Sequence, residues 1–463
     1  MYNIKNEGKT MNRFVVLLFS LYFSCNALAT TLTEALEAAY ENNVALKENR
    51  ETLKVRDEQV MEVISRMLPS VSVAKEKRNG KQTPSQSAAD AGATTTKING
   101  ITGTFMLSQN LFRGGSDMAS LIAARNSIEA SRAELKQKEQ IVLLGVVESF
   151  LKLNALDSKY SNAKRMEKET KDYVNATQER FKVGEVTKTD VARAQSAYAE
   201  YKARKSRNWA ELLSEKAKFK NITGIEGDNL VLLASEKEVK HPANVDDAVA
   251  IGLKQNPKVL VANFMKQVSR EQVKANMGRL LPSIDLKHQV DDLDHAPVKS
   301  RNEGYKLNQI TSLQVTVPIF DGGSNWSKVR AAKSENKKNE YSAINASNEV
   351  MESVTASWFS TDSAKDVLKS TKEAMLASKL AYDGAKQEEK AGIRASIDVV
   401  IAHNEYYSTC ERYIDAQMQY WLSLYGLKAA LGECTAQGLN LKVKHYDPLV
   451  NYNRIKFQLI GAY

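Results

Sequence analysis

The feature that most restricts this chain is that much of it occurs twice. Leu111-Phe112-Arg113-Gly114-Gly115-Ser116 returns as Ile319-Phe320-Asp321-Gly322-Gly323-Ser324, an offset of 322 − 114 = 208. The same offset carries Val183-Gly184-Glu185 onto Ala391-Gly392-Ile393, Asp190 onto Asp398, Phe150 onto Trp358 and Gly224 onto Gly432. An earlier block, Thr31 to Met67, repeats at an offset of 213, with Asn43 on Asn256 and Leu68-Pro69-Ser70 on Leu281-Pro282-Ser283. Two tandem copies of roughly two hundred residues must therefore fold alike. The repeat predicts units over 30–235 and 236–435, followed by a tail, 436–463, with no clear period.

Between the paired glycines the chain reads as helix. No proline occurs from 85 to 241 or from 319 to 447, and the interiors of 116–182 and 324–390 hold one glycine each, Gly145 and Gly384. Leu121, Ile128, Leu135 and Val142 fall seven apart, and the stripe continues through Val146, Phe150, Leu153 and Tyr160. That is a loose coiled-coil rhythm with charged residues on the other faces. Each helix would be about 100 Å long at 1.5 Å per residue, too long for a compact domain, so the helices must pack on one another. Gly184 and Gly392 then predict tip turns over 183–187 and 391–395. Return helices follow over 188–220 and 396–431, the first capped by Thr187 with Asp190 favouring its N-terminus. Thr31 to Met67 and Val245 to Leu281 read as one further helix per copy.

Between these helices the period changes to two. Val71 and Val73, Phe105 and Leu107, Leu286 and Val290, and Leu313, Val315, Val317 and Ile319 alternate with polar neighbours. Strands are expected at about 70–80, 99–112, 283–291 and 308–320, with polar loops Gly80–Lys97 and Asp291–Gly304. Each has the length of a tilted membrane strand, about 9–11 residues, with one apolar face. Four strands cannot close, and open edges are not tolerated in lipid, so a barrel would have to be shared between chains.

The N-terminus reads as a secretory signal over 1–29: Arg13, an apolar run from Val15 to Phe23, and Ala27-Leu28-Ala29 before Thr30, with 1–10 an upstream extension. The formal charge of +10 becomes 62 − 54 = +8 without that segment, and it is spread along the chain, which reads as a solvated surface and not a nucleic-acid patch. Cys410 and Cys434 are expected as free thiols. The five histidines show no metal-binding spacing, and phosphate-loop, nucleophile-elbow and Cys-x-x-Cys motifs are absent. Asp291-Asp292-Leu293-Asp294-His295 suits either a divalent ion or a solvated turn. No enzyme activity, cofactor or resident metal is expected.

In their order and spacing, twice over, the LPS, L/IF-x-GG and VG/AG-x-x-x-x-x-D marks resemble the TolC family of outer-membrane efflux and type I secretion channels. The resemblance covers nearly all of the chain after the signal. It implies a mainly α protein with a small β part, assembled as a homotrimer. Twelve strands, four per chain, would form one barrel in outer-membrane lipid, and twelve helices would form a tunnel across the periplasm. It also implies a Gram-negative outer-membrane location, a periplasmic adaptor, and an inner-membrane pump of ABC, RND or MFS type. The adaptor would dock at the tip turns Val183, Gly184, Glu185, Ala391, Gly392 and Ile393. Position by position, Asp190, Arg394 and Asp398 match the family's periplasmic gate, while Glu389 and Ile401 stand where a tyrosine and a second aspartate are expected. An Arg394–Asp190 link and a ring of Asp398 carboxylates follow from the resemblance. The alternative is that both aspartates serve only their helix N-termini. At the level of the whole chain, a structural coiled-coil or fibre protein explains the helices but not the four paired strands.

Overall fold

The computed structural model describes residues 30–83, 85–92, 96–228, 230–231, 242–295, 307–456, 458 and 461. The signal segment 1–29, residues 232–241 around the boundary between the two repeats, and most of the Asp291–Gly304 loop lie outside the described residues. In order, the elements are β1 (Thr30–Thr31), α1 (Leu32–Asn42), α2 (Val44–Ser65), β2 (Ser70–Gln82), α3 (Gln86–Asp90), β3 (Thr96–Arg113), α4 (Ser116–Lys182) and α5 (Lys188–Thr223). Then come β4 (Leu230–Val231), α6 (Val245–Gln255), α7 (Pro257–Gly278), β5 (Ser283–His295), β6 (Leu307–Thr316), α8 (Ser324–Lys390), α9 (Ser396–Leu431) and α10 (Leu449–Ile455). Corresponding helices have equal lengths: α4 and α8 have 67 residues, and α5 and α9 have 36. Among the described residues no helix is long and apolar enough to cross a membrane.

The chain divides into two compact units. One comprises residues up to Asn43, Leu143–Lys240 and Asp362–Leu424; the other comprises Val44–Val142, His241–Thr361 and Tyr425–Tyr463.

The first unit is helical. Thr31 caps α1, accepting from the Glu34 amide while Glu34 reaches back to the Thr31 amide. Leu32, Ala35, Leu36 and Ala39 are buried at helical spacing. Ala163, Met166, Tyr201 and Tyr407 form one core, and Tyr382, Ala385 and Val399 another. Higher up, the buried carboxylate of Glu215 accepts from Ser149 at 2.7 Å and pairs with Lys152 at 3.0 Å. β1 pairs in parallel with β4, a contact that two-residue strands leave no period to reveal.

The second unit carries the sheet, in the order β2-β3-β5-β6, antiparallel throughout. The two hairpins share one register. Ser70 faces Ser108, and at offsets of 213 and 208 Ser283 faces Thr316. Cross-strand partners place Val71, Val73, Phe105, Leu107, Ile284, Leu286, Leu313 and Val315 on one face. The other face is mainly polar, with Met106 and Ile310 among its members: Thr104 donates to Asp291 at 2.9 Å and Asn110 to Asp285 at 2.7 Å. A bulge between Asn110 and Phe112 returns Phe112 to the apolar side, opposite Ile284. β6 stops at Thr316, short of the 320 that alternation suggests. Pro318 cannot donate to a ladder, so Val317 and Ile319 lie beyond the pairing.

The structure departs from the predicted single helix per copy. Asn43 and Asn256 take extended backbones, at φ −60°, ψ 123° and φ −63°, ψ 124°, and split it into α1/α2 and α6/α7. Each side chain has the same task. Asn43 donates to the Ile222 carbonyl at 2.9 Å, and Asn256 to the Ala430 carbonyl at 2.8 Å, satisfying a carbonyl in the last turn of a return helix. The tail is also ordered over much of its length: Asn451 of α10 donates to the buried Asp57 carboxylate at 2.9 Å, and Glu139 accepts the Ala436 amide at 2.6 Å. Cys410 and Cys434 are free and buried.

Candidate functional site

The predicted site residues lie at the ends of α4 and α8, within the first unit. Both helices end in the same way. Gly184 and Gly392 adopt positive φ, +79° and +73°, where a side chain would be strained. The amide of Gly184 bonds the Phe181 carbonyl and that of Glu185 the Arg180 carbonyl; Gly392 and Ile393 repeat this with Glu389 and Glu388. This is the six-to-one and five-to-two pattern that closes a helix through a left-handed glycine.

The side chains then diverge. In the first copy Thr187 and Asp190 form a capping box. The Asp190 amide donates to Thr187 Oγ1 at 3.2 Å, and Asp190 Oδ2 accepts from the Thr187 amide at 2.9 Å and hydroxyl at 2.7 Å. The Thr187 hydroxyl, and then its amide, hold the Asp190 carboxyl below the usual range. In the second copy Ala395 occupies the position of Thr187 and offers no hydroxyl. The exposed Asp398 carboxylate has no hydrogen-bond or ion-pair partner among the described residues.

Each turn is braced by an ion pair, with the charges reversed. Arg180 Nε lies 3.2 Å from Glu185, and Arg394 Nε lies 2.9 Å from Glu388, the residue equivalent to Arg180. Within one chain, then, Arg394 has Glu388 as its partner and Asp190 has Thr187. The bond that ties the two tips is Arg180 Nη1 to Glu389, whose side chain is only 12% exposed. Glu389 holds the Arg180 guanidinium above its ordinary pKa. Sequence reading singled out Glu389 as a departure but missed Arg180; the available signal was the opposite charge of Arg180 and Glu388 at equivalent positions. Val183 and Ile393 are exposed at the two turns.

Behind the tips lies a partly enclosed cavity of ≈ 310 Å³, lined by residues of α4, α5, α8 and α9, Glu389 among them. Buried His403 presents Nε2 3.5 Å from Glu169, packs against the Tyr382 ring at 4.9 Å and meets the edge of Tyr201 at 5.3 Å. His403 lowers the Glu169 pKa. Among the described residues the tips thus provide electrostatic bracing through Arg180 and Arg394 and an exposed carboxylate, Asp398.

A family profile described as "Outer membrane efflux protein" matches residues 35–224 and 251–433. The chain is 26% identical over 435 residues to the outer membrane efflux protein BepC of Brucella suis, covering 94% of this chain and 92% of that one. It is 22% identical over 436 residues to the outer membrane protein TolC of Escherichia coli, covering 90% and 85%. Its fold matches the Campylobacter jejuni CmeC outer membrane channel with a TM-score of 0.78 at 16% identity, over 93% of this chain and 90% of that one.

Proposed function

The chain belongs to the outer membrane efflux protein family, and from that premise we propose that three copies form a passive exit duct across the periplasm and outer membrane. The duct would serve an efflux pump or a type I secretion system. The carrying observation is a sheet whose end strands, β2 and β6, each leave one edge unpaired among the described residues, with one mainly apolar and one mainly polar face. Lipid does not tolerate such edges, and a single-chain barrel needs at least eight strands. Threefold assembly removes the edges by making a twelve-stranded barrel, apolar face outward. The long helices and their return helices, four per chain, give twelve for the periplasmic tunnel. A fibre or spacer has no use for an amphipathic sheet.

Exposure at equivalent positions supports the same assembly. Leu111 and Phe112 are 54% and 46% exposed, whereas Ile319 and Phe320 are 94% and 85% exposed. In the assembly the next subunit would cover Ile319 and Phe320 as the second copy covers Leu111 and Phe112.

In this reading the turns Val183-Gly184-Glu185 and Ala391-Gly392-Ile393 receive a periplasmic adaptor. The exposed apolar side chains of Val183 and Ile393 support that role. The adaptor joins the duct to an inner-membrane pump of ABC, RND or MFS type, which supplies the energy. Three Asp398 carboxylates ring the aperture and favour cations. Arg180–Glu389 holds the two tips of a chain together, and an Arg394–Asp190 link would form between subunits. The purified protein is expected as a detergent-solubilised trimer that forms channels in planar bilayers, with Arg180→Ala raising the open conductance. A monomer soluble without detergent would overturn the assembly; conductance indifferent to Arg180 would remove its bracing role.

A further inference from the structure

The apolar face of the sheet changes character at equivalent positions on all four strands. On β2 Val71 and Val73 are followed on that face by Lys75, and on β5 Ile284 and Leu286 are followed by His288. Lys75 and His288 are equivalent, since 288 − 75 = 213. Counted from their helical ends, β3 passes from Leu107 and Phe105 to Gly103, and β6 from Val315 and Leu313 to Thr311. These are equivalent again, since 311 − 103 = 208. The strands thus share one boundary, beyond which polar residues enter the face at the end away from the long helices.

Beyond that boundary β2 carries Lys75, Lys77 and Lys81, all exposed. Their even spacing puts them on the face of Val71 and Val73. Lys75 and Lys77 stand about 7 Å apart along the strand. None of the three has a hydrogen bond or ion pair among the described residues. Asp292, an acid on the same face, is separated from Lys75 by Gly103, two strand spacings or about 10 Å away. A cationic row that the protein leaves unmatched selects an anion. Its setting selects one that carries acyl chains, because exposed Ile101 lies opposite Lys77 and exposed Phe105 opposite Val73. On the duct reading above the helices enter the periplasm, so the lysines lie at the outer leaflet. Resting on that reading, we infer that Lys75 and Lys77, with Lys81 beyond them, bind the phosphates of the outer leaflet's phosphorylated glycolipid. Lysine serves phosphate as a point charge, and its long stem places that charge at the interface, where it costs little. An inner-leaflet phospholipid would lie at the helical end, where β2 and β5 present Val71 and Ile284.

The test is native mass spectrometry of the full-length detergent-solubilised protein titrated with bisphosphorylated lipid A. The same lipid stripped of its phosphates, and phosphatidylglycerol, are titrated alongside. Saturable retention of lipid A is expected, with weaker retention of the other two. Lys75→Gln combined with Lys77→Gln should weaken it by about tenfold or more, the scale of a lost charge-assisted contact. Lys287→Gln removes a lysine from the other face of the same sheet, where it donates to Gln314 at 3.2 Å, and should leave retention unchanged. No saturable retention, equal retention of the stripped lipid or of phosphatidylglycerol, an unaffected double variant, or an equal loss in Lys287→Gln would overturn the inference. A conducting trimer that fails in any of these ways leaves the duct standing; a monomer soluble without detergent overturns both.

Discussion

Asp190 and Asp398 occupy the same place in the two copies, and one neighbour separates their behaviour. Thr187 draws Asp190 into a capping box, whereas Ala395 offers no hydroxyl and Asp398 has no side-chain partner among the described residues. Because the folded Asp190 pKa is depressed, its contribution to the α5 cap is present above the ordinary aspartate range and is lost as pH falls through the lowered value. An exposed cap of this kind adjusts the helix start and adds little to global stability. On the proposed reading, Asp398 is the carboxylate that faces ions at the aperture. Asp398→Ala is therefore expected to reduce cation preference, read as a smaller reversal potential across a salt gradient in planar bilayers. An unchanged potential would leave Asp398 without a role at the aperture.

Among the elements, the turn between β3 and α4 is tightly constrained. Gly114 has φ +59°, and a Cβ there would lie 2.1 Å from the Gly278 carbonyl at the end of α7. Gly322 holds the equivalent place at φ +69°, yet a Cβ there would meet nothing within 4 Å. Backbone strain alone costs a non-glycine residue about 1–2 kcal/mol at either site, and Gly114 adds backbone overlap. In one chain Gly114→Ala would therefore be the more damaging. If the next subunit covers Gly322 as α7 covers Gly114, both substitutions should lower the melting temperature of the detergent-solubilised trimer by similar amounts. A drop confined to Gly114→Ala would mean that the β6 end is not covered in the assembly.

For the whole molecule, the duplication specifies how neighbouring copies should meet. Within one chain β3 faces β5 with Leu107 opposite His288. Moving each partner to the other copy gives 107 + 208 = 315 and 288 − 213 = 75. Val315 of one subunit should therefore face Lys75 of the next. Val315→Cys combined with Lys75→Cys is expected to give covalent trimers on mild oxidation, separable on a denaturing gel. Cross-links at displaced pairs but not at this one would refute the register. The native thiols are buried and should not interfere.

Most of the element plan was legible in the sequence because it rests on local causes. Heptad spacing without proline set the long helices, alternation set the strands, and Gly184 and Gly392 set the turns. The repeat then required each element twice. Three features were not legible, since each joins residues distant in sequence. Asn43 and Asn256 break a helix whose periodicity continues, because their side chains satisfy carbonyls 179 and 174 residues away. The tail has no period because it is held by isolated contacts such as Asn451 with Asp57. At the tips the Thr187–Asp190 cap was legible, since the two lie three residues apart. The third feature is the Arg180–Glu389 bond, which a linear pattern cannot specify because its partners lie on different hairpins. The sequence by itself determined which helices, strands and turns form, since periodicity and glycine act within a few residues. Only the packing of those elements decided which charged groups meet, because a side chain's partner depends on what folding brings beside it.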